Sequence, residues 1–163
     1  MSPARKTIDL EEPDRVEGQP HPREVYDLIG QDDALTRAAR SIRSGRPPHG
    51  LMLAGPAGIG KATLAYRIAR YVLRYGARPD GPADLSVPRN DLVSRRTEAQ
   101  SHPGLLVLKR PRDERTGRLK TVVSVDEIRR LGGFFGLTSA GGDWRVVVID
   151  AADDMNNNAA NVV

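Results

Sequence analysis

The feature that most constrains this chain is a glycine-rich turn set between an apolar run and a segment of helical spacing. It reads Leu51, Met52, Leu53, Ala54, Gly55, Pro56, Ala57, Gly58, Ile59, Gly60, Lys61, Ala62, Thr63. This is the layout of a phosphate-binding P-loop. A buried strand fixes such a loop, glycines let backbone N–H groups close around phosphate oxygens, and the helix that follows turns its positive end toward the anion. Lys61 adds a mobile full charge. The stretch from Gly55 to Lys61 fills the first seven places of G-x-x-x-x-G-K-[ST], but Ala62 stands where a magnesium-ligating hydroxyl belongs, and Thr63 comes one residue late. Two glycines and a lysine at this spacing also suit a strand-to-helix turn with no ligand. The preceding apolar run and the following helical pattern favour the phosphate reading.

A chain of 163 residues is long enough for one domain with a core. Its hydrophobic share of 39% and aromatic share of 4% are low, so part of the length is expected to be extended or poorly ordered. The net charge of +4 permits a phosphate-bearing partner without demonstrating one. The absence of cysteine removes disulfides, thiolate zinc sites and thiol nucleophiles together. His21, His49 and His102 lack metal-ligand spacing and read as ordinary loop positions. There is no apolar run of membrane-spanning length and no secretory h-region, so a cytoplasmic protein with no membrane partner is expected.

Along the chain, residues 1–22 carry four prolines among many charges and read as a flexible lead-in, and residues 23–163 as the folded part. Asp32 and Asp33 open a helix whose inward face is Leu35, Ala38, Ala39 and Ile42. After the loop, Leu64, Ile68, Tyr71, Val72 and Tyr75 repeat at helical spacing up to Gly76, with Arg67, Arg70 and Arg74 expected as a solvated flank. Residues 77–104 read as a long connection with at most a short helix near 90–99, and Leu105 to Leu108 as a strand. Arg110 to Lys120 is a charged excursion. Ser124 to Glu127 forms a capping box for a helix that buries Val125, Ile128, Leu131 and Phe135 and is weakened by Gly132 and Gly133. Val146 to Ile149 fits a strand buried on both faces of a parallel sheet, with Asp150 at its C-terminal end, where P-loop proteins orient magnesium.

Four ordered stretches carry a family resemblance: Asp27-Leu28-Ile29-Gly30-Gln31, the loop GPAGIGKATLA, the capped SVDEIRRLGGFF, and VVVIDAADDMNNNAAN. Together they resemble the first domain of AAA+ clamp-loader subunits of bacterial DNA polymerase III, the delta-prime type most of all. The resemblance covers roughly residues 22–161. It implies an α/β fold, a P-loop AAA+ parallel sheet flanked by helices, with strand order 5-1-4-3-2. Val163 falls inside the helix after the third strand, so a partial AAA+ domain is expected, its P-loop strand lacking lateral partners.

By the same resemblance, Leu28, Ile29 and Gly30 approach an adenine base. Gly55, Pro56, Ala57, Gly58, Ile59, Gly60, Lys61, Ala62 and Thr63 wrap the phosphates of ATP or ADP, and Asp150 stands at a magnesium site. Two departures oppose turnover. Ala62 lacks the metal-ligating hydroxyl, and Ala151 takes the place of the usual water-activating glutamate. No catalytic residue is therefore assigned, magnesium is in doubt, and the zinc module of many clamp-loader subunits is not expected.

The function implied is a replication subunit that assembles with motor subunits to load the sliding clamp onto primed DNA, its own nucleotide pocket not hydrolytic. The alternative is an ATP-hydrolysing gamma/tau-like subunit or another DNA-acting P-loop ATPase. A small-molecule P-loop kinase is disfavoured, because it would keep the hydroxyl and would not require the LIGQ stretch or the capped helix.

Overall fold

The computed structural model describes residue 15 and residues 18–109, 125–136 and 144–150. A short 3-10 turn, Pro22–Glu24, precedes helices α1 (Asp32–Ile42), α2 (Lys61–Tyr75) and α3 (Leu92–Glu98). Strand β1 (Leu105–Leu108), helix α4 (Val125–Gly136) and strand β2 (Val146–Ile149) follow. The excursion expected at 110–120, the capping serine at 124 and the stretch beyond 150 lie outside the described residues, as do the side chains of Val125 and Ile128.

The two helices read from apolar spacing form where expected. Asp32 and Asp33 occupy the first turn of α1, where carboxylates oppose the positive helix end. Gly76 closes α2, its N–H donating to the Val72 carbonyl at 2.8 Å. Ala38, Ala39 and Ile42 of α1 pack against Leu64, Ile68, Tyr71 and Val72 of α2, and Leu85 and Val87 of the connection complete this core.

β1 and β2 run parallel, with Leu105 opposite Val146 and Leu108 opposite Ile149. Parallel neighbours need a crossover, and α4 supplies it. Because side chains alternate along a strand, the two faces of this sheet have different neighbours. Leu106, Leu108, Val147 and Ile149 form one cluster with Leu131 of α4, whereas Val146 on the opposite face packs against the α1–α2 core. The sheet therefore lies between α2 and α4, an α/β arrangement with helices on both faces.

Three expectations about this region need correction. β2 is not buried on both faces along its length: Val148 is buried and Val146, Val147 and Ile149 are half-buried, because a two-stranded sheet covers each strand on one side only. Residues 51–54 form no strand among the described residues. Leu51 and Met52 are 43% and 88% exposed, and only Leu53 packs on the core. Among the described residues the sheet holds β1 and β2 alone, so residues 51–54 have no strand beside them. Finally, Phe135 is exposed rather than inward, and Leu131 faces the sheet.

Gly132 and Gly133 lie within α4, exposed, and a Cβ added at either meets nothing within 4 Å. Replacing either by alanine is expected to stabilise the fold by about 1 kcal/mol, through helix propensity and a less flexible unfolded chain. Chemical denaturation checks it. A destabilised alanine variant would mean that α4 bends or is contacted at the glycines.

Histidines 21 and 102 depart from the loop reading. His21 is fully buried edge-on to Tyr66, ring centroids 5.9 Å apart, and its Nδ1 accepts from the Arg23 N–H at 3.1 Å. Among the described residues, packing thus begins at His21, inside the stretch expected as lead-in. His102 is 6% exposed and its Nδ1 accepts from the Gly104 N–H at 3.0 Å. Burial, and to a lesser degree the Arg96 charge, hold the His102 pKa below its ordinary 6.5. The folded state favours neutral imidazole, so this contribution is whole above about pH 6.5 and is lost as pH falls toward the lower folded value. His102→Asn keeps a side-chain acceptor but cannot titrate, and is expected to flatten the stability profile below pH 6.5. An unchanged slope in unfolding experiments across that range would contradict it.

Candidate nucleotide-binding site

The loop between Ala54 and α2 has the backbone of an anion cradle. Gly58 and Gly60 have φ of 77° and 98°, in the left-handed region that other residues rarely enter, and Gly60 is the N-cap of α2. The first intrahelical bond runs from the Leu64 N–H to the Gly60 carbonyl at 3.0 Å. The N–H groups of Lys61, Ala62 and Thr63 precede it and have no intrahelical carbonyl, which leaves them for a ligand or water. Gly55 to Ile59 are exposed and Gly60 is half-buried.

Lys61 is held by the loop that it follows. Its ammonium donates to the Gly55 and Pro56 carbonyls, both at 2.8 Å, which fixes Nζ over the mouth of the turn. Along the sequence, residues 34–79 hold nine basic side chains, Arg37, Arg40, Arg43, Arg46, Lys61, Arg67, Arg70, Arg74 and Arg78, and no acidic one. Two of them are neutralised from outside this stretch, Arg67 by Asp84 and Arg74 by Asp91.

The base-side residues separate. Leu28 is half-buried, packs on the α1–α2 core, and lies so close to the loop that a Cβ on Gly60 would be 3.3 Å from its Cδ1. Ile29 is 89% exposed, and Gly30, with φ of 72°, turns the chain into α1. The structure thus brings Leu28 onto the phosphate loop and leaves Ile29 open to solvent.

The residues present fit a nucleotide's phosphates better than they fit magnesium. α2 starts at Lys61, so Ala62 and Thr63 both lie in its first turn, about 100° apart around the axis. The position next to the lysine carries a methyl group and offers no oxygen to a metal. Asp150 follows β2, its N–H donating to the Leu108 carbonyl at 2.9 Å. Among the described residues no group of three or more His, Asp or Glu side chains is placed to hold a metal ion.

The α2 arginines, expected as a solvated flank, are structural. Arg70 is 1% exposed; its guanidinium donates to the Arg23 and Val25 carbonyls at 2.9 and 3.1 Å and stacks 4.3 Å over the Tyr26 ring. Arg67 donates to the Tyr26 carbonyl at 2.7 Å and clasps Asp84 at its carbonyl and carboxylate, each at 2.9 Å. Arg74 pairs with Asp91 at 2.8 Å. The missed signal lies in α2 itself: Tyr66 and Ala69 are apolar on the same side as Arg70, so that side also has to be covered. A cavity of about 690 Å³ opens here, lined by Tyr26, Arg67, Arg70, Asp84, Val87 and Arg89 among others. No residue of the phosphate loop lines it, so this concavity is separate from the cradle.

Residues 30–163 match the protein family described as DNA polymerase III, delta subunit. The chain belongs to that family. Among curated relatives, DNA polymerase III subunit delta' of Pseudomonas aeruginosa is 33% identical over 115 residues, 71% of this chain and 32% of the relative. Replication factor C small subunits are similar over shorter stretches. That of Methanoregula boonei is 43% identical over 49 residues, 30% of this chain and 15% of the relative, and that of Methanothermobacter thermautotrophicus is 38% identical over 52 residues, 32% and 16%. The chain therefore spans about a third or less of the length of these relatives. No solved structure matches it. Among the described residues, no helix is long and apolar enough to cross a membrane.

Proposed function

We propose that this chain is the P-loop module of a delta-prime-type clamp-loader subunit, one that binds ATP or ADP without hydrolysing it. In this reading it assembles with motor subunits, and the assembly places a sliding clamp on primed DNA. The clamp-loader assignment rests on the family match and the delta' relative. The absence of turnover rests on one observation, the start of α2 at Lys61, which puts the methyl group of Ala62 where a metal-ligating hydroxyl belongs. Ala151, the residue after Asp150, offers no carboxylate to activate water.

The loop from Gly55 to Thr63 holds phosphate oxygens through the backbone N–H groups of its residues other than Pro56, Lys61 adds charge, and Leu28 meets the base with Ile29 and Gly30 beside it. Asp150 is the one carboxylate proposed near a metal. Ala62→Thr combined with Ala151→Glu in the full-length protein is expected to raise steady-state ATP hydrolysis above a near-zero starting value. Removing such groups from active enzymes costs orders of magnitude in rate, so restoring both should give a measurable gain. Magnesium-dependent hydrolysis by the unaltered protein would favour the gamma/tau-like alternative.

A further inference from the structure

The segment between His21 and Gly30 crosses α2 as a strap, and two arginines one turn apart take its carbonyls in succession. Arg70 holds those of Arg23 and Val25, and Arg67 holds that of Tyr26. Among the described residues the strap pairs with no strand, so these carbonyls would otherwise have to be satisfied by water. Two residues beyond Tyr26 is Leu28, seated against Gly60 of the phosphate loop. Arg67 is thus the last fixed point before the base-side residues, and it is fixed in turn by Asp84. Burial alone would raise the Asp84 pKa, but bonds from the Ser86 side chain and N–H, and the Arg67 charge, hold it below the usual carboxylate range, so the clasp stays ionised at neutral pH.

We propose that Arg67 is a positioning residue for the nucleotide base: by tying the Tyr26 carbonyl to α2 it sets Leu28 over the loop that α2 itself begins. The inference rests on the nucleotide reading of the P-loop and adds a residue outside the motif. A guanidinium is required because one planar group reaches three acceptors in a fixed fork; an ammonium at the end of a lysine is a point donor without that geometry. Loss of Arg67 leaves Arg70 holding the upstream strap, so the disturbance falls on residues near 26–30 and on the released Asp84. The phosphate cradle, built from loop backbone and Lys61, is left as it is.

The test is equilibrium binding of ATP, ADP and inorganic tripolyphosphate to the full-length protein and its Arg67→Ala and Arg67→Lys variants. The expected result is about 5- to 10-fold weaker ATP and ADP binding for Arg67→Ala, a smaller loss for Arg67→Lys, and tripolyphosphate affinity unchanged in both. Equal losses for tripolyphosphate, or no loss for ATP, would overturn the proposal. Hydrogen exchange supplies a readout that needs no ligand: Arg67→Ala should speed exchange at residues 26–30 and not at 55–61. If the unaltered protein binds neither ATP nor tripolyphosphate, the nucleotide reading falls and the base-positioning role falls with it. Unchanged exchange at 26–30 would overturn the latch itself.

Discussion

Replacing Arg70 by alanine is expected to destabilise the protein by about 3 kcal/mol or more. Two strap carbonyls lose a charged donor, and unsatisfied buried acceptors cost about 1–3 kcal/mol each. The Tyr26 ring loses the guanidinium stacked on it at 4.3 Å, and the space left by a side chain in a residue only 1% exposed is not refilled. Burial pulls the Arg70 pKa below the ordinary arginine value, with the neighbouring Tyr26 acting in the opposite direction, yet a guanidinium remains charged at neutral pH. Arg70→Met should recover part of the loss by restoring packing without the hydrogen bonds. Denaturant unfolding of the full-length variants measures both, and a loss within about 0.5 kcal/mol for alanine would mean that the strap is not held by α2.

The second large effect is on binding. Lys61→Ala removes the ammonium held at 2.8 Å from the Gly55 and Pro56 carbonyls and, with it, the full positive charge of the loop. Hydrogen bonds to charged groups are worth about 1.5–3 kcal/mol, so nucleotide affinity should fall about 10- to 100-fold. Stability should change by less than about 0.5 kcal/mol, since these bonds lie in an exposed loop. Assembly with partner subunits should stay nearly intact. Titration calorimetry and co-purification separate the two. Lost assembly with retained nucleotide affinity would reverse the roles proposed for the loop and the rest of the surface.

Helices α1 and α2 are legible in the sequence because their apolar residues recur every third or fourth place and their ends carry the residues that helix ends favour, Asp32 and Asp33 at one and Gly76 at the other. The backbone of the glycine-rich loop is legible for a related reason, since Gly58 and Gly60 take up a conformation that few other residues adopt. The roles of Arg67 and Arg70 are not. The strap carbonyls that they hold are 41 to 47 residues away, and a carbonyl carries no mark in the sequence. His21 and His102 differ: each accepts a hydrogen bond from an N–H only two residues on, and what the sequence does not mark is their burial by the tertiary fold. Residues 51–54 and β2 differ from their sequence-based expectation for another reason. An apolar run reports that a segment suits burial, while the number of sheet neighbours decides whether the burial is achieved.

The most direct measurement is the binding of ATP and ADP to the full-length protein, with and without magnesium, followed by steady-state hydrolysis under the same conditions. Binding that changes little with magnesium, and no turnover, is the expected result of the proposed reading, because the loop offers backbone N–H groups and Lys61 while Ala62 offers no hydroxyl to a metal. Magnesium-dependent turnover would contradict the non-hydrolytic reading, and would show that another group does the work denied to Ala62 and Ala151.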